Sequence, residues 1–487
     1  MSGIAAIFHF DGRPADQLQI EAMTQRMKHR GPDGIAHWVD GSAALGQCAF
    51  HTTSESMEAS LPLADETGEI VIILDGRVDN YDALQRLLLE GGATLRTKAD
   101  AELILKAYAK WGEAFADKIE GDFSIVIWDR RQRRVVCLRD HTGHKPFYYF
   151  WNGKTLCICS EVAPILDLPW VGERLDQATV AEFLQLEWYS QEATVWEDIK
   201  RLPLSHSMIC NERGPRVSEY WRPQPMPETL FGDVDQVAEY YLEILTDAVK
   251  RKSRSHLPIS CEVSGGLDSS AVFALAVGLE RDGLLKAPAV QGYTLNITGE
   301  PTANDLPYAR AMARYCDVAI KEIPPGVQPL HWFRDRAVQL RNLPGLGHIA
   351  NTLEISKDMN ANESRVLLSG EGGDEWLSLG AGVDYLDALA SIDPRGFGFA
   401  FGADIRDFGV LATFARLGRY GLSAALPGAL KQRLRHIVDM IQGAGNPEHN
   451  WVTNELSGLL QELKTEKDRE VPKHRLRSHR VFDHRWR

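Results

Sequence analysis

The sequence lacks the features that would place the protein in a membrane or in an oxidising compartment. Its longest apolar run, Ala271–Leu279, is about half the length of a membrane span. No basic leader precedes the N-terminal apolar stretch, which Asp11 interrupts, so we expect a cytoplasmic protein. The seven cysteines include no C-x-x-C pair, which argues against both a disulfide framework and a thiolate zinc site. We therefore expect reduced cysteines, mostly in the core.

The sequence also lacks the positive charge that nucleic-acid binding requires. It has 54 Lys and Arg against 67 Asp and Glu, a net charge of −13. Because a phosphate backbone demands a basic surface, we expect no nucleic-acid partner, and we expect no membrane partner either. The 487 residues, 44% apolar and 25% charged, are typical of a soluble globular protein of two to four domains.

One proline-rich segment divides the chain. Within 213–233 a proline stands at every second position from Pro223 to Pro227. Proline cannot donate a backbone hydrogen bond, so such a run fits neither a helix nor the interior of a sheet. We therefore predict a first domain at 1–212, a linker at 213–233 and a second domain at 234–487.

The first domain has the pattern of antiparallel hairpins. Short β-branched or aromatic runs alternate with turn residues, at Ile70–Leu74, Phe123–Trp128, Val135–Leu138 and Phe147–Phe150. Apolar residues at helical spacing occupy Asp100–Trp111. These patterns predict an α+β domain of antiparallel sheets with a few helices.

The second domain alternates helices with isolated strands. The predicted helices are Val237–Val249, Ser270–Leu279 and Pro307–Tyr315, and the predicted strands are Ile259–Val263, Val290–Ile297 and Arg365–Leu368. Such alternation predicts parallel strands joined by crossover helices, that is, a doubly wound α/β domain. Ligands of these sheets bind at the carboxyl ends of the strands, so the residues after Val263 and Leu368 are candidate site residues.

The string after Val263 has the chemistry of a phosphate-binding loop. It reads Ser264-Gly265-Gly266-Leu267-Asp268-Ser269-Ser270 and leads into a helix. Glycines allow the backbone to turn around an oxyanion, hydroxyls and the helix N-terminus supply donors, and Asp268 suits a magnesium ion shared with the phosphates. The alternative is a glycine turn with a serine N-cap. The string is not a Walker A loop, and it resembles the pyrophosphate loop of ATP pyrophosphatases, which implies ATP as a ligand bound by Ser264, Gly265, Gly266, Asp268 and Ser269.

The string after Leu368 is acidic. It reads Ser369-Gly370-Glu371-Gly372-Gly373-Asp374-Glu375, and its carboxylates would repel one another without a cation, unless the string is simply a solvated acidic turn. With the first string, it resembles the S-G-E-G-x-D-E of the asparagine synthetase superfamily. That resemblance implies that Asp268 and Asp374 hold Mg²⁺, that Glu371 lies near the substrate being activated, and that Gly370 belongs to the ATP site. The candidate catalytic residues are therefore Glu371, Asp374 and Asp268.

The first domain resembles the class II glutamine amidotransferases. The matching strings are Arg30-Gly31-Pro32-Asp33, Asp75-Gly76-Arg77-Val78-Asp79-Asn80, Asp100-Ala101-Glu102, Gly121-Asp122-Phe123-Ser124 and Arg139–Tyr149 followed by Ser160-Glu161. The resemblance implies an Ntn-type sandwich of antiparallel sheets. In this family the residue after the initiator methionine is a nucleophilic cysteine.

Two departures from the family predict a domain without glutaminase activity. Ser2 stands in place of the cysteine, and a serine hydroxyl is far less ionised near pH 7 than a thiol. The family's N-G-E-x-Y-N reads D-G-R-V-D-N, which puts Arg77 where a carboxylate would hold the ligand's ammonium. We expect this cation to repel the ligand; the alternative is a serine-based glutaminase.

The combined resemblance predicts an ATP-dependent ligase that adenylates a carboxylate, releases pyrophosphate and lets an amine attack. The stretch Leu45–Ser56 is most similar to the lasso peptide cyclases. That similarity implies macrolactam formation, a peptide precursor or a small-molecule carboxylate as substrate, and a leader peptidase as partner. The alternatives are a glutamine-hydrolysing asparagine synthetase and a catalytically silent peptide-binding partner.

The C-terminal part departs from the family's pattern. Only 112 residues follow Glu375, they end in the basic stretch Lys473–Arg480, and the string G-V-E-x-R-x-P-F-x-D is absent. We expect a chain truncated before the family's late catalytic lysine, with Lys473 and its neighbours or a separate piece as alternative sources of that cation.

Overall fold

The computed structural model of the protein describes residues 1–58, 60–185, 188–224, 234–297, 305–344 and 348–373, and short pieces at 397–398, 401–402, 404–406, 409–417, 453, 456 and 458–459. The chain forms two compact units: 1–176 with 191–370, and 177–190 with 371–487. No helix within the described ranges is long and apolar enough to cross a membrane.

The first unit begins with two six-stranded antiparallel sheets. Their strands are β1 (Gly3–His9), β2 (Ile35–Asp40), β3 (Ala43–Cys48), β4 (Leu63–Ala64), β5 (Ile70–Val78), β6 (Gly121–Asp129), β7 (Arg134–Arg139), β8 (Tyr148–Trp151), β9 (Thr155–Cys159), β10 (Ile199–Arg201), β11 (His206–Asn211) and β12 (Gly214–Glu219). One sheet has the order β10-β8-β9-β1-β3-β2, and the other β12-β11-β7-β6-β5-β4. The helices beside them are α1 (Gln17–Arg26), α2 (Tyr81–Glu90), α3 (Asp100–Trp111) and α4 (Ala163–Leu166).

The two sheets pack face to face, and helices cover both outer faces. Along β5, Ile73 packs between the sheets, whereas its neighbour Ile72 packs under α2 and α3. Along β1, Ala6 likewise faces the other sheet, and Ile7 packs under α1 and α4. Because side chains of a strand alternate between faces, strands covered on both sides are apolar throughout, as the run Ile70–Leu74 is. The predicted sandwich of antiparallel sheets is confirmed.

Strand β12 starts inside the segment that the sequence predicts as a linker. It pairs with β11 in antiparallel register, with Cys210 opposite Pro215, so the sheet continues to Glu219. Pro215 is tolerated because β12 lies at the edge of its sheet, where a missing donor costs no ladder bond on the outer side. The rest of the predicted linker, from 225 to 233, lies outside the described residues.

A four-stranded parallel sheet forms the other part of the first unit. Its elements are α6 (Val234–Lys252), β13 (Ile259–Glu262), α7 (Leu267–Arg281), β14 (Val290–Leu295), α8 (Leu306–Cys316), β15 (Ile320–Ile323), α9 (Leu330–Leu340), α10 (His348–Ala361) and β16 (Val366–Leu368). The strand order is β15-β14-β13-β16 and every pair is parallel. The predicted doubly wound α/β fold is confirmed.

The topology of this sheet locates a crevice. From β13 the chain winds outward through β14 and β15, and then returns to place β16 on the other side of β13. The strand order therefore reverses between β13 and β16. Doubly wound sheets bind ligands at such a switch point. Both predicted motifs follow strands at this point.

The second unit contributes two described helices, α5 (Gln177–Gln185) and α11 (Val410–Arg416). All seven cysteines lie in the first unit, buried and unpaired, which confirms the expectation of core thiols.

Candidate functional site

The loop after β13 is built for close approach by an anion. Gly265 adopts φ +86°, and a Cβ there would lie 2.7 Å from the Tyr308 Cβ, so only glycine fits. The Ser264 amide donates to the Ser269 hydroxyl (3.1 Å), and the two hydroxyls are 2.8 Å apart. Gly266 precedes α7 in extended conformation and no side chain caps the helix. The first amides of α7 are therefore left to bind a ligand or water.

The second motif meets this loop at Gly370. A Cβ on Gly370 would stand 2.5 Å from the Ser269 nitrogen and 3.0 Å from the Ser269 Cα. Backbone of the second motif therefore lies directly against the N-terminus of α7. The structure brings the two strings together, as the parallel pairing of β13 and β16 requires.

Asp268 lies in the first turn of α7, partly exposed. Burial, and then the charge of Asp268, raise the pKa of Tyr241 on α6. The donor set fits a nucleotide phosphate, because glycine backbone, two serine hydroxyls and uncapped helix amides lie together at the N-terminus of α7. A half-exposed carboxylate beside it fits Mg²⁺.

The remaining predicted site residues lie at or beyond the edge of the described chain. Glu371 is exposed and begins the second segment, 371–487, of the second unit. Asp374, the second predicted magnesium ligand, lies outside the described residues, as does the basic stretch Lys473–Arg480.

Ser2 lies at a second candidate site, a cavity of about 230 Å³ in the antiparallel part. Its lining includes Gln47, His51, Arg77 and Asp100. The Ser2 hydroxyl accepts a hydrogen bond from the Phe50 amide (3.1 Å) and lies 3.4 Å from the Phe50 carbonyl oxygen. The backbone just after β3 thus hydrogen-bonds to the Ser2 hydroxyl, which would have to be free to act as a nucleophile.

Arg77 does not act as the sequence predicts. Its guanidinium donates to the carbonyls of Arg254 (2.8 Å) and Arg251 (2.7 Å) and pairs with Asp79 (2.7 Å). Repulsion of a ligand's ammonium by a free cation is therefore not its role. It caps the C-terminal end of α6, because the last carbonyls of a helix have no partner within it.

Arg254 makes the reciprocal contact. Its guanidinium donates to the Val78 carbonyl (2.9 Å) and to the Asp100 carboxylate, and it stacks 4.5 Å from the Tyr81 ring. Arg254 and Asp100 are 6% and 4% exposed, so each charge depends on the other. Asp100, from the amidotransferase-like string, is thus occupied by a cation of the same chain.

Asp33, from the Arg-Gly-Pro-Asp string, holds a second arginine. Arg365 donates from both terminal nitrogens to the two carboxylate oxygens, with 2.9 Å between Nη2 and Oδ1. Burial alone would raise the pKa of Asp33, but the hydrogen bonds from Arg365 and the His51 amide bring that pKa below its usual value. The carboxylates of Asp33 and Asp100 are therefore both paired with arginines of the same chain.

A basic segment that pairs with further acids of the antiparallel part was not predicted from the sequence. Within the basic segment Lys250–Arg254, Arg251 pairs with Glu120 (2.6 Å), and Lys252 pairs with Asp79 (2.8 Å) and Asp122 (2.7 Å). The string K-R-K-S-R was the available signal. It is also what the positive end of any helix favours, so sequence alone does not distinguish the two roles.

Asp75 is buried beside Ser2. Neither of its carboxylate oxygens has a hydrogen-bond partner among the described residues, and Arg30 and Lys145 approach to 3.8 and 3.9 Å. Arg30 also donates to the Ser2 carbonyl (3.2 Å). Burial raises the pKa of this carboxyl.

A sandwich of antiparallel sheets followed by a doubly wound sheet with a phosphate-type loop defines a class of two-part amidotransferase-like and nucleotide-binding proteins. Comparison with known proteins gives the family. The glutamine amidotransferase domain family matches residues 1–221, and the asparagine synthase family matches residues 241–480. The chain belongs to the asparagine synthetase superfamily.

Curated relatives agree with this assignment. Asparagine synthetase [glutamine-hydrolyzing] 3 of Bacillus subtilis is 26% identical over 77% of this chain and 62% of its own length. A second asparagine synthetase, the putative enzyme 2 of Methanocaldococcus jannaschii, is 27% identical over 77% of this chain and 75% of its own. The amidase chyE of Penicillium rubens is 24% identical over 93% of this chain and 71% of its own. The chain thus spans less than two thirds of the Bacillus relative.

Proposed function

We propose that this protein is an ATP-dependent carbon–nitrogen ligase that joins an amine and a carboxylate within one peptide, forming a macrolactam as lasso peptide cyclases do. The observation that carries the ligase part is the contact of Gly370 with the N-terminus of α7 at the switch point of the parallel sheet. There the chain's own groups can cradle the phosphates of ATP while Asp268 holds Mg²⁺. Membership of a family that uses ATP and magnesium supports the same assignment.

In the proposed reaction a carboxylate oxygen of the peptide bonds to the α-phosphorus of ATP and pyrophosphate leaves. The amine nitrogen then bonds to the acyl carbon, AMP leaves, and the amine loses its proton. The α7 amides would neutralise charge on the phosphates, and Asp268 would fix the magnesium that shares this task. Glu371, which follows Gly370 directly, is the proposed contact to the activated substrate.

The side chains already engaged in the amidotransferase-like part support the proposal that the attacking amine does not come from glutamine. Its Ser2 hydroxyl accepts a hydrogen bond from the Phe50 amide, and Asp33 and Asp100 pair with arginines of the same chain. A peptide's own N-terminal amine needs no ammonia source. An intramolecular attack also gains from proximity.

The first test is a cyclisation assay with the full chain, ATP, Mg²⁺ and leader-free peptides that carry an internal Asp or Glu. We expect a product about 18 Da lighter, one water lost per ring, with one pyrophosphate released. Acetylating the peptide's N-terminus removes the nucleophilic lone pair and should stop ring closure. Asp268→Asn should lower turnover about 100-fold or more, and Asp282→Asn at the exposed other end of α7 should not.

Formation of asparagine from aspartate and ammonium at a comparable rate would instead favour an asparagine synthetase. Absence of pyrophosphate release with every peptide and with aspartate would favour the silent peptide-binding partner.

A second test concerns glutamine. We expect no glutamate production, and we expect Ser2→Ala to leave the ligation rate unchanged, because the Ser2 hydroxyl is already engaged and no acceptor for a glutamine ammonium is free among the described carboxylates of the cavity. Glutamate release in a coupled dehydrogenase assay reports this directly. Steady release that Ser2→Ala abolishes would restore the serine-based glutaminase.

A further inference from the structure

Arg365 stands at the amino end of the strand that presents the second motif. It immediately precedes β16 (Val366–Leu368), and Gly370 follows two residues after that strand. The chain from Arg365 to Gly370 therefore spans at most about 17 Å, at roughly 3.3 Å per residue of extended chain. One end of this short segment is held by the antiparallel part, and the other end contacts the phosphate-type loop.

The grip on Arg365 is specific to arginine and to an acid. Asp33 accepts from both terminal guanidinium nitrogens, the His51 carbonyl accepts a third hydrogen bond (2.8 Å), and the Phe50 ring lies 4.9 Å from the guanidinium. The His51 amide donates to Asp33 Oδ2 (2.7 Å) and so fixes the carboxylate itself. Such a bidentate pair defines direction as well as distance.

The other end of the segment has no spare room. Gly370 fits only because it has no side chain, with Ser269 backbone within 2.5 Å of where a Cβ would stand. The strand between pairs in parallel with β13, and just before Arg365 the Ser364 hydroxyl hydrogen-bonds with the Ser260 hydroxyl of β13 (2.8 Å). A shift of β16 along its axis would consequently move Gly370 against the α7 amides or away from them.

We propose that Asp33 is a positioning residue for the nucleotide site: through Arg365 it fixes the strand that sets Gly370 against the N-terminus of α7. This inference rests on the proposed ATP site. It gives the amidotransferase-like part a role in the ligase reaction that needs no glutaminase chemistry. Asp33 acts through Arg365 and contacts no substrate.

The test compares Asp33→Asn and Arg365→Lys with a matched control, Asp82→Asn. Asp82 also joins the two parts, through Lys286, but Lys286 leads to no motif strand. With the leader-free peptide present as the carboxylate, we expect both test variants to raise the KM for ATP in ATP–pyrophosphate exchange about 3- to 30-fold. We expect kcat to stay within about twofold, as coupling through a positioning residue does. The control should match the wild type.

Hydrogen exchange on the nucleotide-free chain supplies a readout independent of catalysis. Asp33→Asn should speed exchange in peptides that contain Leu368 to Gly370, and Asp82→Asn should not. If the wild type shows no exchange of ATP and pyrophosphate, the proposed function fails, while faster exchange at Gly370 still supports the coupling. Wild-type KM together with unchanged protection in Asp33→Asn would overturn the positioning role.

Should either variant fold poorly, the double variant Asp33→Asn with Arg365→Leu is compared with the single variants Asp33→Asn and Arg365→Leu. Two groups that act only through each other give a double variant no worse than the worse single one. Losses that add in the KM for ATP would overturn the inference.

Discussion

At the scale of the single residue, Gly370 and Gly278 are chemically identical and differ only in what surrounds them. Gly370 has Ser269 backbone within 2.5 Å of a virtual Cβ, whereas nothing lies within 4 Å of that position at Gly278, inside α7. A methyl group therefore finds no space at one glycine and open space at the other. The same substitution, glycine to alanine, should therefore weaken ATP binding at Gly370 and leave it unchanged at Gly278.

We predict that Gly370→Ala weakens ATP binding about tenfold or more, because relieving the overlap displaces the α7 amides at a cost of about 1–3 kcal/mol. Gly278→Ala should leave binding unchanged and stabilise the fold by up to about 1 kcal/mol, since alanine favours a helix interior. Calorimetric titration with ATP and thermal unfolding measure both effects. Equal ATP affinities in the two variants would separate Gly370 from the phosphate loop.

At the scale of the element, α6 depends on the antiparallel part for its C-terminal end. Its final carbonyls would have no partner within the helix, and Arg77 supplies donors to Arg251 and, just beyond the helix, to Arg254. Asp79 follows β5 directly, and its carboxylate pairs with both Arg77 and Lys252. The end of this helix is thus completed by residues about 175 positions earlier in the chain.

We predict that Arg77→Ala lowers the free energy of unfolding by about 2–4 kcal/mol, because it removes the cation paired with Asp79 and both guanidinium donors. The Arg251 carbonyl would then keep only the 3.4 Å hydrogen bond from the Arg254 amide. Arg86→Ala, on the exposed face of α2, should stay within about 0.5 kcal/mol of the wild type. Urea unfolding followed by circular dichroism provides the measurement. A wild-type midpoint for Arg77→Ala would mean that water replaces these donors at no cost.

At the scale of the whole first unit, acids of the antiparallel part face bases of the parallel part. Asp79, Glu120 and Asp122 meet Arg251 and Lys252. Burial alone would raise the pKa of Asp122, but the Lys252 ammonium holds it below its usual value. The pKa of Lys252 is raised in turn, because Asp79 and Asp122 outweigh the effect of its burial.

These shifts predict a loss of stability in acid. A carboxyl whose pKa is lowered on folding binds fewer protons in the native state, so its contribution is fully present above the unfolded pKa of about 3.9 and is lost as pH falls through the lower, folded value. We expect the melting temperature to fall steeply below about pH 4. Asp33→Asn and Asp122→Asn should each flatten that fall relative to Asp282→Asn, since Asp282 is exposed at the end of α7. Parallel acid profiles for all four proteins would contradict the assignment.

Sequence reasoning predicted the features that depend on local pattern. The helix Asp100–Trp111 is found with the same bounds, and β5 and β6 extend the predicted runs by a few residues. The phosphate-type loop was predicted as well, because glycine and serine before a helix carry their chemistry in their own backbone. Strand β15 and helix α9 were not predicted, since their half-exposed residues give weak periodicity.

What the sequence by itself determined is the class of fold and the order of the two motif strings after their strands, both encoded in short spans of chain. Only the tertiary structure decided what Asp33, Arg77 and Asp100 contact. Their partners in the parallel part lie 154 to 332 positions away, and a charged side chain is satisfied by whichever acceptor or opposite charge folding brings to it. The contacts of these side chains depend on proximity in space, which no spacing along the chain encodes.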